Sequence, residues 1–157
     1  MPDKRTKRSG ERTRCAWCLG DPLYIQYHDD EWGRPVQDDR VLFEFLILEA
    51  FQAGLSWLTV LKKRENFRKA FADFDADKVA RFTQRKVELL MQDAGIIRNR
   101  LKIEAAINNA KRFKEIRKEF GSFDKYVWGF TGGKPVINKP RTLKDLPATS
   151  ALSDAMS

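Results

Sequence analysis

Apolar residues crowd one stretch of this chain. From Leu42 to Trp57 it runs Leu-Phe-Glu-Phe-Leu-Ile-Leu-Glu-Ala-Phe-Gln-Ala-Gly-Leu-Ser-Trp. Apolar positions on nearly every side of a 3.6-residue turn predict a helix buried all round. Asp38 or Asp39 caps its start, and Gly54 ends it in a left-handed turn. Two carboxylates interrupt the run. Glu44 has Arg40 four residues before it as a local partner. Glu49 has only Phe45, Leu46, Gln52 and Ala53 at that spacing. Its carboxylate is expected to lose water or to line a polar pocket, either of which needs compensation. Trp57 follows, so a flat apolar face and a negative charge can share one cavity.

The rest of the pattern is also helical. Tyr24, Tyr27, His28 and Trp32 recur at spacings of three and four, either as a core stripe or as walls for a flat ligand. Gly33-Arg34-Pro35 breaks to a loop. Ser56 caps a helix from Trp57 to about Phe71, with Lys62, Lys63 and Arg64 on its polar face. Phe74-Asp75 makes a turn, a short helix starts near Asp77, and another spans about Arg85 to Met91. Gly95 stops that helix, and Ile96-Ile97 lead into a long one from about Asn99 to Phe120, ended by Gly121. Arg98, Arg100 and Lys102 crowd its entry. Such a hairpin offers backbone N–H groups and basic side chains to a phosphate strand, or is an ordinary helical hairpin with a charged surface. Phe123, Tyr126, Val127, Trp128 and Phe130 read as core. Loops follow, and Ser150 caps a last helix that stops at Ser157. No repeat and no strand alternation is evident.

Charge narrows the partners. The 157 residues hold 30 Lys and Arg against 22 Asp and Glu, a net +8. Half of that excess lies in residues 1–14, a small, polar, basic tail expected to be disordered. The balance favours nucleic acid among partners. Glu44 and Glu49 keep the longest apolar run below membrane-spanning length. No apolar segment follows the basic N-terminal residues, so no secretory signal is expected and the cytoplasm is the expected compartment. Residues 15–157 are expected to form one domain.

Cys15 and Cys18 form a lone Cys-x-x-Cys with the single histidine, His28, nearby. A structural zinc usually takes four ligands, and this region offers three candidates at most.

Four ordered segments resemble the DNA-3-methyladenine glycosylase I family. They are Asp21-Pro-Leu-Tyr-Ile-x-Tyr-His28-Asp-x-Glu-Trp-Gly33, Gln52-Ala-Gly-Leu-Ser-Trp57, Val60-Leu-Lys-Lys-Arg-Glu-Asn66 and Gln92-Asp-Ala-Gly-Ile-Ile-Arg98. The resemblance implies an all-α helix–hairpin–helix DNA glycosylase fold. It also implies hydrolysis of the N-glycosidic bond of 3-methyladenine in alkylated double-stranded DNA, by a monomer with no lyase step. Glu49 would read the flipped base and act catalytically, Tyr27 would supply a hydroxyl partner, and Trp57, Trp17 and Tyr24 the walls. Gly54 and Leu55 would push toward the gap in the duplex, and Gly95, Ile96, Ile97 and Arg98 would hold the DNA backbone. Many relatives of this fold carry a catalytic Asp after the hairpin, and this sequence has no Asp between Asp93 and Asp124.

The same resemblance implies a zinc held by an N-terminal Cys and His, matched by Cys15 and His28, and by a C-terminal His and Cys. The second pair and a terminal helix are expected to lie beyond Ser157. The sequence is then truncated at its C-terminal end relative to the family, and its zinc affinity is expected to be low. Two rival expectations are an inactive DNA-binding module of the same fold and a plain helical interaction domain.

Overall fold

The computed structural model describes residues 12–157. Most of the basic tail thus lies outside the described residues. Arg14, expected to be disordered with it, is instead held by Asp29, with contacts of 2.7 to 3.1 Å.

Eight helices form among the described residues: α1 (Pro22–Asp30), α2 (Asp39–Gln52), α3 (Trp57–Ala70), α4 (Ala76–Val79), α5 (Gln84–Gln92), α6 (Arg100–Phe120), α7 (Phe123–Gly129) and α8 (Ala151–Met156). Short polar residues start most of them. Asp21, Asp38, Ser56, Asn99, Ser122 and Ser150 each accept a backbone N–H of the first turn. Each such cap is worth about 1 kcal/mol. Between the two aspartates at the head of α2 the division is clear. Asp38 caps α2 itself, while Asp39 accepts Phe123 and Asp124 N–H at 3.0 and 2.8 Å and so caps α7 across the fold.

The core forms around α2. Phe43, Ile47, Leu48 and Phe51 pack with Val60 and Phe67 of α3 and with Ile103, Ala106, Ile107, Ala110 and Phe113 of α6. α2 is not buried all round, however. α3, α6 and α7 cover it and leave Leu46, Glu49, Ala50 and Ala53 open, one stripe at helical spacing. The carboxylate that loses water is Glu44, 6% exposed. Its partners are Arg64 and Arg68 of α3 rather than Arg40, which pairs with Asp75 instead. Of the expected C-terminal aromatic core only Phe123 is buried; Tyr126, Val127, Trp128 and Phe130 are half-buried.

The turn between α3 and α4 is unusual. Ala72, Asp73 and Phe74 all take positive φ, at 51, 52 and 54°. Glycine's absence makes this costly, and the buried, stacked rings of Phe71 and Phe74 hold it in place.

Candidate functional site

Aromatic rings gather where α1 and α3 meet, beside the short 3-10 turn Ala16–Cys18. α1 buries no residue completely, so its aromatic stripe is a wall and not core. Trp17 lies 4.9 Å from Tyr24, 6.4 Å from Tyr27 and 5.3 Å from both His28 and Trp32, ring centre to ring centre. Trp17 itself is 40% exposed, leaving ring surface free. Tyr27 reaches Trp57 at 5.6 Å. Phe45 of α2 backs Trp57, nearly parallel at 6.4 Å. The structure therefore brings together four of the aromatic residues singled out in the sequence, Trp17, Tyr24, Tyr27 and Trp57.

Glu49 stands on the open stripe of α2, exposed rather than enclosed, against the expectation of a desolvated carboxylate. It is nevertheless part of this neighbourhood. Partial burial pushes its carboxyl pKa up. The Tyr27 phenol is pushed up as well, first by burial and then by the negative charges of Glu49 and Glu31. Trp57 Nε1 is buried and has no hydrogen-bond partner. It lies near enough to Tyr27 to favour the phenolate slightly without forming a hydrogen bond to it. An unpaired buried donor of this kind is suited to a ligand acceptor. An apolar cleft of about 490 Å³ opens beside the rings, lined by Tyr27, Trp32, Phe45, Val36, Val127 and Leu152 among others; it reaches Tyr27 and Phe45 but not Glu49.

A charged cluster lies behind the rings. Arg64 donates to Glu44 at 2.5 Å and to both carboxylate oxygens of Glu31 at 2.8 Å, while Arg68 pairs with Glu44 at 2.9 Å and with Glu65. Arg64 thus leaves the solvated face the sequence suggested. Neither it nor Glu31 stood out in the sequence. The only signal was a carboxylate on an apolar helix, Glu44, whose same-helix candidate Arg40 pairs with Asp75 instead.

The residues expected to contact DNA lie at the end of α2 and in the α5–α6 hairpin. Gly54 takes φ +78° and turns the backbone after α2, leaving Leu55 exposed. Gln52 Nε2 staples this turn by donating to Leu55 O at 2.9 Å. The α5–α6 hairpin packs close by. Lys63 donates to Ala94 O at 3.1 Å. A Cβ at Gly95 would stand 2.9 Å from Asp93 Oδ1 and 3.0 Å from Asn66 Cγ, so this position has no room for a side chain. Asp93 Oδ1 accepts Gly95 N–H, while the N–H groups of Ile97 and Arg98 have no acceptor among the described residues. Ile96 is core, 2% exposed, and faces inward rather than toward DNA. The basic entry to α6 is also thinner than expected. Lys102 is committed to Phe51 and Ala53 carbonyls, and Arg100 to Glu88 and Glu104. Arg98 is exposed and has no acidic partner among the described residues.

Cys15 and His28 also meet. Cys15 N–H lies 3.3 Å from His28 Nε2, and His28 Nδ1 lies 3.0 Å from Asp29 Oδ1. A carboxylate behind one ring nitrogen is how a metal-binding histidine is usually oriented. Among the described residues, though, no three His, Cys, Asp or Glu side chains converge. Cys18 is buried, its Sγ toward Cys15 O at 3.1 Å. The described residues therefore show Cys15 and His28 as neighbours but no metal-binding cluster.

An all-helical frame with a tight hairpin, an exposed apolar turn and an aromatic slot is the helix–hairpin–helix DNA glycosylase fold. The chain belongs to the methyladenine glycosylase family, whose model matches residues 17–157. It is similar to DNA-3-methyladenine glycosylase 1 of Escherichia coli K12, 49% identical over 144 residues, covering 92% of this chain and 77% of that protein. It is similar also to a DNA-3-methyladenine glycosylase of Haemophilus influenzae, 44% identical over 145 residues, 92% and 78%. The solved structure of 3-methyladenine DNA glycosylase I from Staphylococcus aureus superposes with a TM-score of 0.87 at 39% identity, covering 92% of this chain and 77% of that one.

Proposed function

We infer that this protein is a monofunctional DNA glycosylase, hydrolysing the N-glycosidic bond of 3-methyladenine in alkylated double-stranded DNA for base excision repair. The observation that carries the reading is the Tyr27–Trp57 aromatic corner with the Glu49 charge close enough to raise the Tyr27 phenol.

A base cannot be reached inside the stack, so it is extruded, and aromatic faces replace the stacking it loses. N3-methylation puts a positive charge on adenine while it remains attached to the sugar. π faces and a carboxylate attract that cation and not normal adenine. Tyr27, Trp57, Trp17 and Tyr24 supply the faces, and Glu49 the charge. The C1′–N9 bond breaks with its electron pair going to the base, which leaves neutral, and water adds at C1′. The methylated base is already a good leaving group. The protein then needs a negative charge near the developing oxocarbenium sugar and good binding of the departing base.

Gly54 and Leu55 enter the gap left by the base. The free N–H groups of Ile97 and Arg98, with Gly95 allowing the close turn, hold the backbone on one side of it. Ile96 serves the hairpin from within the core.

Cys15 and His28 would hold two positions of a structural zinc, which when bound would tie the N-terminal turn to α1. No chemical step passes through it. The reading places the protein in the cytoplasm as a monomer. No helix among the described residues is long and apolar enough to cross a membrane.

The test is release of free base from methylated duplex DNA. Free 3-methyladenine with an intact, abasic-site-bearing strand is expected. Retained duplex affinity with no free base would leave only a DNA-binding module.

A further inference from the structure

Arg64 stands where the three helices that carry the proposed slot come together. From α3 it reaches Glu31, just past α1, and Glu44, in the middle of α2. Its side chain is only 13% exposed, and that of Glu44 only 8%. This is no surface ion pair, whose two long side chains gain little from meeting. Burial alone would lower the guanidinium pKa, and the bonds to Glu44 and Glu31 more than reverse that.

The guanidinium has a third contact. Its central carbon lies 5.1 Å from the centre of the Phe45 ring. Phe45 in turn lies nearly parallel to Trp57, with an interplanar angle of 26°. The series of contacts therefore runs from Glu31 and Glu44 through Arg64 and Phe45 to Trp57, and from Trp57 to Tyr27. A planar fork suits this task, since it bonds two carboxylates by its edges and covers a ring with its face. An ammonium group offers one point of charge and cannot do both.

The charges also balance in a particular sense. Glu31, Glu44 and Glu65 face Arg64 and Arg68, three acids against two bases. An isolated arginine behind the slot would repel a cationic purine. This cluster instead carries one net negative charge.

We propose that Arg64 is the positioning residue of the base slot, fixing Phe45 and through it the plane of Trp57, with Glu31 and Glu44 both holding the guanidinium and cancelling its charge. The inference rests on the function proposed above and says how that slot is kept in shape.

The test compares wild type with Arg64→Lys, Phe45→Leu, their double variant and Glu31→Gln. Four quantities are read on folded protein: affinity for free 3-methyladenine by tryptophan fluorescence, single-turnover base release, affinity for undamaged duplex, and thermal midpoint. Arg64→Lys is expected to weaken base affinity and slow release on the order of tenfold, with undamaged-duplex affinity unchanged. Phe45→Leu is expected to cause a similar loss, and the double variant little more than either, since both act through one contact. Glu31→Gln, which leaves Glu44 with both arginines, is expected to weaken base affinity while the protein stays folded. The proposal is overturned if Arg64→Lys lowers only the folded fraction, or if the two losses add in full. Should Arg64→Lys not fold, wild-type-like base affinity in both Phe45→Leu and Glu31→Gln overturns it. Wild-type protein that neither binds nor releases 3-methyladenine would sink the function itself, a result separate from any variant.

Discussion

Lys102 donates to the carbonyl oxygen of Ala53 at 2.6 Å, as well as to that of Phe51 at 2.9 Å, so the start of α6 grips the end of α2. The last carbonyls of a helix lack intrahelical partners and carry the negative end of its dipole, which an ammonium satisfies. The grip sets the Gly54–Leu55 turn against the hairpin that opens α6. Lys102→Met is therefore expected to cost about 1 to 2 kcal/mol of stability. It is also expected to slow base release more than it weakens binding to undamaged duplex. Denaturant titration and single-turnover release check both. Unchanged values for each would show that the turn is held by other contacts.

Glu49 has opposite consequences for activity and stability. Its folded-state pKa is raised by partial burial, so the folded protein binds this proton more readily than the unfolded state does. The ionised carboxylate thus opposes folding above the raised pKa, and that penalty is relieved as pH falls through it toward the ordinary glutamate range. Exposure of the side chain keeps the penalty small. Activity, which needs the anion, is expected to fall over the same acid range, beginning at a higher pH than an unperturbed glutamate would show. Glu49→Gln is expected to reduce base release on the order of 10²-fold, the scale of one lost transition-state contact, with a thermal midpoint at neutral pH no lower than wild type. Undiminished release would remove Glu49 from the chemistry.

Local signals carried most of the fold in the sequence. Helix periodicity, Ser56 and Ser150 as caps, and Gly54 and Gly121 as stops all place elements within a residue or two of where they lie. What pattern could not supply was which neighbour covers which face. Apolar residues all round α2 gave no hint that Leu46, Glu49 and Ala50 would remain open, because that depends on where α3, α6 and α7 pack. The same blindness applies to charge. A lysine or arginine on a polar helix face looks solvated until another helix arrives, which is why Arg64 and Lys102 read as surface charges rather than as contacts between helices. The aromatic side of the slot was legible because Tyr24, Tyr27 and Trp57 fall on helices of predictable phase. The Glu31–Arg64–Glu44 cluster was not, since its members lie 13 to 33 positions apart.

Of the basic residues at the entry to α6, Arg98 is the one the proposed function assigns to phosphate. Arg100 and Lys102 are committed within the fold, whereas Arg98 is exposed and unpaired among the described residues. Arg98→Ala is expected to weaken duplex binding regardless of damage and sequence. The slope of log affinity against log salt should fall by about 0.9, the contribution of one phosphate contact. Thermal stability should not change. Arg100→Ala is expected to alter that slope less. Binding isotherms across a salt series distinguish the two, and equal slopes for wild type and Arg98→Ala would direct attention to another phosphate ligand.

The turn Ala72–Asp73–Phe74 stores strain that substitution can relieve. A left-handed conformation costs a residue with a Cβ roughly 1 to 2 kcal/mol, and three stand in succession here. Phe74 cannot be changed without emptying a core position. Ala72 and Asp73 can, because neither is buried. Ala72→Gly is expected to stabilise the protein by on the order of 0.5 to 1 kcal/mol, the relieved strain exceeding the added freedom of the unfolded state. Asp73→Gly is expected to gain less, since aspartate tolerates this region better than alanine does. Both changes lie on the far side of α3 from Trp57 in sequence and touch no residue of the slot, so base release should be unchanged. Chemical denaturation checks the gain. A loss of stability on Ala72→Gly would mean that the turn relaxes to an ordinary right-handed one in solution.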